Sequence, residues 1–228
     1  MGQRLRDFYK RKKYIITLVL LAFALLLFVY GGRVSQSRKP LDYAVSLEET
    51  AVSVNGQSLT LRQLAYYVAL EEAQVQEQAL IYDPEEPSKY WNVQVGGVFV
   101  RNAARNAVIQ MAVHDVIFAE LAEAEGIELS EEEEEMLLSA QEAFWQDLVE
   151  DEKAPRLGVS FADIGESMRR AALAQKYQAV YELVRGEEAG AYDFGGEAFE
   201  ELLKKQEYKV DKELWRRVDF GHVTIVQE

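Results

Sequence analysis

The fifteen residues Leu121-Ala-Glu-Ala-Glu-Gly126-Ile-Glu-Leu-Ser130-Glu-Glu-Glu-Glu-Glu135 decide the fold class. Gly126 ends an apolar-periodic stretch, and Ile127 supplies the apolar residue that often follows such a glycine. Ser130 with Glu133 three residues on is a capping box, and acids in a first turn suit the helix dipole. One helix stops and another starts within this window, so the chain reads as helix after helix. The five glutamates invite a cation, but successive helical residues point about 100° apart and cannot converge on one ion. They are better read as a solvated helix start.

Upstream of Gly126, Val100, Ala104, Ala107, Val108, Met111, Ala112, Val116, Ala119 and Leu121 cover most of a helix over 99–125, implying burial on more than one side. Downstream, Met136, Leu137, Ala140, Phe144 and Leu148 give a helix over 130–149. Pro155 and Gly158 break the chain. Ser160 caps a helix over 161–184, traced by Ile164, Met168, Ala171, Ala172, Gln175 and Val180. A loop rich in glycine and acid covers 186–196, and a short helix 197–206. Thr60 and Gln63 form a capping box for a helix over 60–82. Val52 and Val54 alternate with Ser53 before Asn55-Gly56, a strand-and-turn signal. The stretch 222–226 reads as a terminal strand, able to pair with residues 45–54. Residues 83–97 read as an irregular connector.

Charge divides the chain unevenly. Residues 1–39 carry nine basic groups and one acid; residues 40–228 carry 16 basic groups and 38 acids. Within the first of these the run 14–30 holds 17 residues without a charge. At 1.5 Å per residue, with Gly31 and Gly32, it spans roughly 26–28 Å, about one hydrocarbon core. The expected organisation is a basic cytoplasmic tail (1–13), a transmembrane helix (14–32), a linker (33–50) and an extracytoplasmic domain (51–228). The orientation follows from six basic residues on the N-terminal flank against three on the other. The run exceeds the apolar stretch of a cleaved signal peptide, and Gly31-Gly32-Arg33-Val34 is a poor cleavage site. The expected location is therefore the cytoplasmic membrane, single-pass.

Composition excludes much chemistry. There is no cysteine, and the two histidines, His114 and His222, are far apart in sequence. No disulfide framework, thiolate nucleophile or multi-histidine metal centre is expected, and no cofactor. A net charge of −14 argues against nucleic-acid binding. His114-Asp115 suggests a base with its orienting acid, but adjacent helical residues do not face each other and no nucleophile motif lies nearby. The glycines form no phosphate loop. Aromatic residues are numerous for a helical domain. Tyr90, Trp91 and Trp145, on a connector and a helix flank, are the candidates for an apolar groove that takes unfolded polypeptide.

Three motifs carry a resemblance. Val52-Ser-Val-Asn-Gly56 with Leu59-Thr-Leu61 resembles the opening of the N-terminal chaperone domain of SurA/PrsA-type foldases. The Leu121–Ser130 segment with its glutamate run is similar to that family's second signature. Leu157-Gly-Val-Ser160 leading to Arg169-Arg-Ala-Ala-Leu-Ala-Gln-Lys-Tyr177 resembles its third. The likeness covers roughly 50–220. It implies a mainly α fold, an open SurA-N-like helical bundle with a few short strands after the transmembrane helix, that holds unfolded or exported polypeptides. The family's parvulin isomerase domain has no room after Gly186, so no catalytic residue carries over. Two further readings stand beside it: a structural membrane subunit binding one folded partner, and a degenerate or partial peptidyl-prolyl isomerase.

Overall fold

Asn55 and Gly56 both take positive φ, +49° and +88°, and turn β1 (Thr50–Val54) back onto β2 (Gln57–Thr60). Val54 pairs with Gln57 and Val52 with Leu59. Two-residue turns of this kind match the twist of the strands they join, and Asn-Gly tolerates the left-handed backbone. The structure is a computed structural model and describes residues 39–225. The chain divides into units Met1–Pro40 and Leu41–Glu228, and every element below belongs to the second.

Thr60 opens α1 (Leu61–Tyr82), with its N–H donating to Gln63 Oε1 at 3.0 Å. A 3-10 helix (Pro87–Asn92) and a small hairpin, β3 (Gln94–Val95) with β4 (Val98–Phe99), lead into α2 (Val100–Ala124). Next come α3 (Glu131–Glu150), α4 (Lys153–Leu157), α5 (Phe161–Arg185), α6 (Glu197–Leu203), β5 (Tyr208–Val210) and α7 (Lys212–Arg217). β5 joins the first sheet on the free edge of β1, giving the order β2-β1-β5.

α2 is the axis. Val108, Ile109, Met111, Ala112, Val113, Val116, Ile117, Phe118 and Ala119 are all buried, together with His114 and Asp115. α1 and α5 pack directly on it. α3 packs on α4 and α5, and the described residues form the expected mainly helical fold with a few short strands. Ala107 is only half-buried. At its C-terminus Gly126 adopts φ +69°, the Ile127 N–H bonds Ala122 O at 2.9 Å, and the Gly126 N–H bonds Glu123 O at 3.1 Å. This crossed pair satisfies carbonyls that the helix end would leave orphaned. Ser130 and Ser160 cap α3 and α5 as their spacing predicts.

Several expectations are corrected. No helix among the described residues is long and apolar enough to cross a membrane. A span needs about 20 consecutive, predominantly apolar residues; α5, at 25 residues, carries Glu166, Arg169, Arg170, Lys176 and Glu182 along its length. The architecture of a transmembrane helix followed by a bundle is thus overturned as a description of this structure, and the single-pass placement loses its support. The 14–32 run itself lies outside the described residues.

The linker ends earlier than expected. Tyr43 and Leu47 are core residues, and the Tyr43 hydroxyl donates to Leu61 O at 2.6 Å. Pro155 does not break the chain. It sits in the first turn of α4, where a helix needs no N–H, and Gly158 at φ +69° ends that helix.

The terminal strand does not form through Ile225; Val226 lies outside the described residues. Its backbone is taken by a carboxylate instead. Glu72 of α1 is fully buried and accepts the N–H groups of Gly221 (2.6 Å), Val223 (3.3 Å) and Thr224 (2.6 Å), and the Thr224 hydroxyl (2.6 Å). Burial pushes the Glu72 carboxyl above its ordinary range, against the pull of these four donors.

Candidate functional site

A cavity of about 400 Å³ opens between α1, α2 and α5. Helical spacing explains its lining. Tyr67, Leu70 and Gln74 stand three and four residues apart on α1; Met111, His114 and Asp115 do so on α2; Ala171, Gln175 and Gln178 do so on α5. Each set shares one helix face, and the three faces meet here. Tyr66 completes one wall, and Asp193 and Phe194, from the loop before α6, form an exposed rim.

A continuous chain of hydrogen bonds forms the floor. The Tyr67 hydroxyl donates to Asp115 Oδ2 at 2.9 Å. Asp115 Oδ1 lies 2.9 Å from His114 Nδ1, and His114 Nε2 lies 3.0 Å from Gln178 Oε1. The Gln178 amide nitrogen donates to Glu182 Oε1 and Asp193 Oδ1, both at 2.8 Å. Two carboxylates on the nitrogen fix the amide, so its oxygen faces the imidazole and the ring nitrogen there is the donor. Phe118 and Phe199 pack on the imidazole at 4.8 and 5.0 Å between ring centres.

Electrostatics follows the same groups. Burial opposes the charge on Glu182, but Gln178, the N–H groups of Tyr192 and Gly190, and the field of His114 outweigh it and hold the carboxyl below its ordinary range. Burial, and then the negative charge of Asp115, push the Tyr66 phenol up and the Tyr67 phenol well up. Both phenols therefore remain neutral hydrogen-bonding groups. Among the described residues no group of three or more His, Asp or Glu side chains could hold a metal ion. The lining carries no serine, threonine or lysine nucleophile. What it offers is hydrogen bonding, aromatic surface and charge.

Sequence reasoning set the His114–Asp115 pair aside because neighbouring helical residues diverge. The side chains nevertheless meet, because both are long enough to turn into the same cavity. Gln178, Glu182 and Asp193 carry no local signal of a site, and Tyr67 stands among the numerous aromatic residues from which Tyr90, Trp91 and Trp145 are the candidates, although its spacing to Leu70 and Gln74 is readable.

The expected groove residues fall elsewhere, and none lines this cavity. Tyr90 is half-buried, with its hydroxyl donating to Gln78 at 3.1 Å and its ring 5.3 Å from that of Tyr82. Trp145 is half-buried on α3, edge-on to Phe161 at 6.1 Å. Trp91 is a correction: it is wholly buried, because the connector folds into a 3-10 helix packed on α1 and α2. Its ring is covered by Gly221, where a Cβ would approach to 2.8 Å. No family model, curated protein or solved structure matches the chain.

Proposed function

We propose that this domain is a chaperone-like holder of unfolded polypeptide, acting by reversible binding without covalent chemistry, and that the cavity between α1, α2 and α5 is where it holds. The observation that carries this reading is the composition of the lining. Tyr66, Leu70, Met111 and Phe194 offer aromatic and adaptable apolar surface beside the side-chain amides Gln74 and Gln175. An amide both donates and accepts, so it can serve an extended backbone in either register. Methionine re-packs readily against varied partners. Such a surface suits many sequences weakly rather than one tightly. The resemblance of the capping and turn motifs to foldase chaperone domains points the same way.

The test is a set of unrelated, chemically denatured proteins diluted into buffer with the full chain. Suppressed aggregation of several of them, with photo-crosslinks from a reactive residue placed at Gln74, supports the reading. Retention of a single folded partner at fixed stoichiometry, with no effect on aggregation, would replace it by a subunit role.

A further inference from the structure

The sheet uses only half of the backbone of β5. The Asn55 N–H bonds Glu207 O at 2.7 Å, the Asp211 N–H bonds Ala51 O at 2.8 Å, and Ser53 stands opposite Lys209 between them. Along a strand, alternate residues turn their N–H and C=O groups to opposite edges. Residues 207, 209 and 211 therefore face β1, and Tyr208 and Val210 aim theirs at the other edge. β5 is an outer strand of its sheet, and no strand pairs with that edge among the described residues. The two faces of the edge differ. Tyr208 and Val210 stand opposite Val54 and Val52, on the face turned to the core, yet Tyr208 is 45% exposed. Lys209 lies on the other face, in one row with Ser53 and Ser58. With Lys212 these residues line a hollow of about 420 Å³. Asp211 lines it too, but its Oδ1 is engaged, accepting the N–H groups of Glu213 at 3.0 Å and Leu214 at 2.9 Å. Neither lysine forms an ion pair among the described residues. Six of the 16 basic groups of residues 40–228 fall within 204–217, against three acids there. This stretch attracts the negative charge that the rest of the acidic domain repels.

We propose that the free edge of β5 docks an extended segment of another polypeptide that reads apolar–acidic–apolar. Added antiparallel, such a segment meets the N–H and C=O groups of Tyr208 and Val210 with those of its two apolar residues. The apolar side chains then lie on the core-side face and cover Tyr208. The central acid stands opposite Lys209, at the hollow, where cross-strand side chains are closest. A second copy of this chain is a poor occupant: two β5 edges paired antiparallel about their centres set Lys209 against Lys209, and like charges directly opposite destabilise. The site is separate from the cavity between α1, α2 and α5 and does not depend on its reading.

The experiment uses the full chain and two fluorescent unstructured peptides, identical except for a central valine–glutamate–valine or valine–lysine–valine. The glutamate peptide is expected to bind about fivefold tighter, the scale of an opposite-charge against a like-charge cross-strand pair. Lys209→Glu is expected to reverse that preference and to leave the denaturant midpoint unchanged, because Lys209 is exposed. Methylating the two valine nitrogens of the glutamate peptide is expected to abolish binding, since those N–H groups face Tyr208 and Val210. Methylating the glutamate nitrogen, which points away, is expected to leave binding intact. Failure of both peptides to bind overturns the docking edge, as does equal binding that Lys209→Glu leaves unchanged. A preference that survives valine methylation also overturns it, because the contact would then be one of charge alone. Self-association of the chain, read by sedimentation and abolished by Val210→Pro, would give the edge to a second copy and overturn the acidic occupant. Aggregation suppression and crosslinking at Gln74 test the cavity separately, so either reading can fail while the other stands.

Discussion

Glu72 shows what one residue can organise. Four donors converge on its carboxylate, and all come from residues about 150 positions later in the chain. Glu72→Ala would leave three buried N–H groups without an acceptor, each costing about 1–3 kcal/mol. The expected loss is about 3–5 kcal/mol, read from denaturant midpoints. Glu72→Gln keeps the shape but turns an NH₂ toward donors, so an intermediate loss is expected. Gly221→Ala tests the same corner from the other side. Its backbone is left-handed at φ +90°, and a Cβ would meet the Trp91 ring at 2.8 Å. A loss of at least about 2 kcal/mol is expected, with a changed tryptophan fluorescence spectrum.

At the scale of elements, α3 depends on its first turn. Lys176 of α5, with Ser130, holds the Glu133 carboxyl down at about 2, against an ordinary value of 4.5. A depressed acid contributes stability that is complete above its ordinary value and is lost as pH falls toward the folded one. The docking of α3 on α5 should therefore weaken as pH drops from about 4.5 to about 2. Thermal midpoints across that window should fall less steeply in Glu133→Gln than in the parent. α2 makes the opposite kind of demand. Ala112 is fully buried on it, so Ala112→Asp should cost about 4 kcal/mol or more and abolish cooperative unfolding by circular dichroism. The same change at half-buried Ala107 should be milder.

For the whole molecule, the last residues close the domain. Phe220 is fully buried, Trp215 donates its indole N–H to Arg105 O at 3.0 Å, and Asn55 is tied to Gln206 and Glu207. The Asn55 contacts join the first hairpin to the segment before β5, and the Trp215 bond ties α7 to α2. Removing residues 220–228 would strip Glu72 of its donors and uncover Trp91. The shortened chain is expected to bind hydrophobic dye and to lose its sharp denaturant transition.

Local chemistry determined the elements. Thr60 with Gln63, Ser130 with Glu133, Ser160 and Gly126 act within one turn of themselves, so the helices begin and end close to where spacing alone places them. The strand of 50–54 and its Asn-Gly turn are local in the same sense. Tertiary structure alone decided the rest. β5 is three residues long, too short for alternation to register, and exists because the edge of β1 needed a partner. The Val-Thr-Ile run after His222 has strand composition, yet a buried carboxylate competed for its N–H groups and won. Trp91 reads as an exposed connector residue until the 3-10 helix turns it inward. The cavity follows the same rule. Tyr67, the adjacent pair His114 and Asp115, Gln178 and Asp193 come from three helices and a loop, and no spacing in the chain relates one element's residues to another's. Capping and turn formation spend their energy within a few residues of backbone, whereas burial and long-range hydrogen bonding depend on which faces meet.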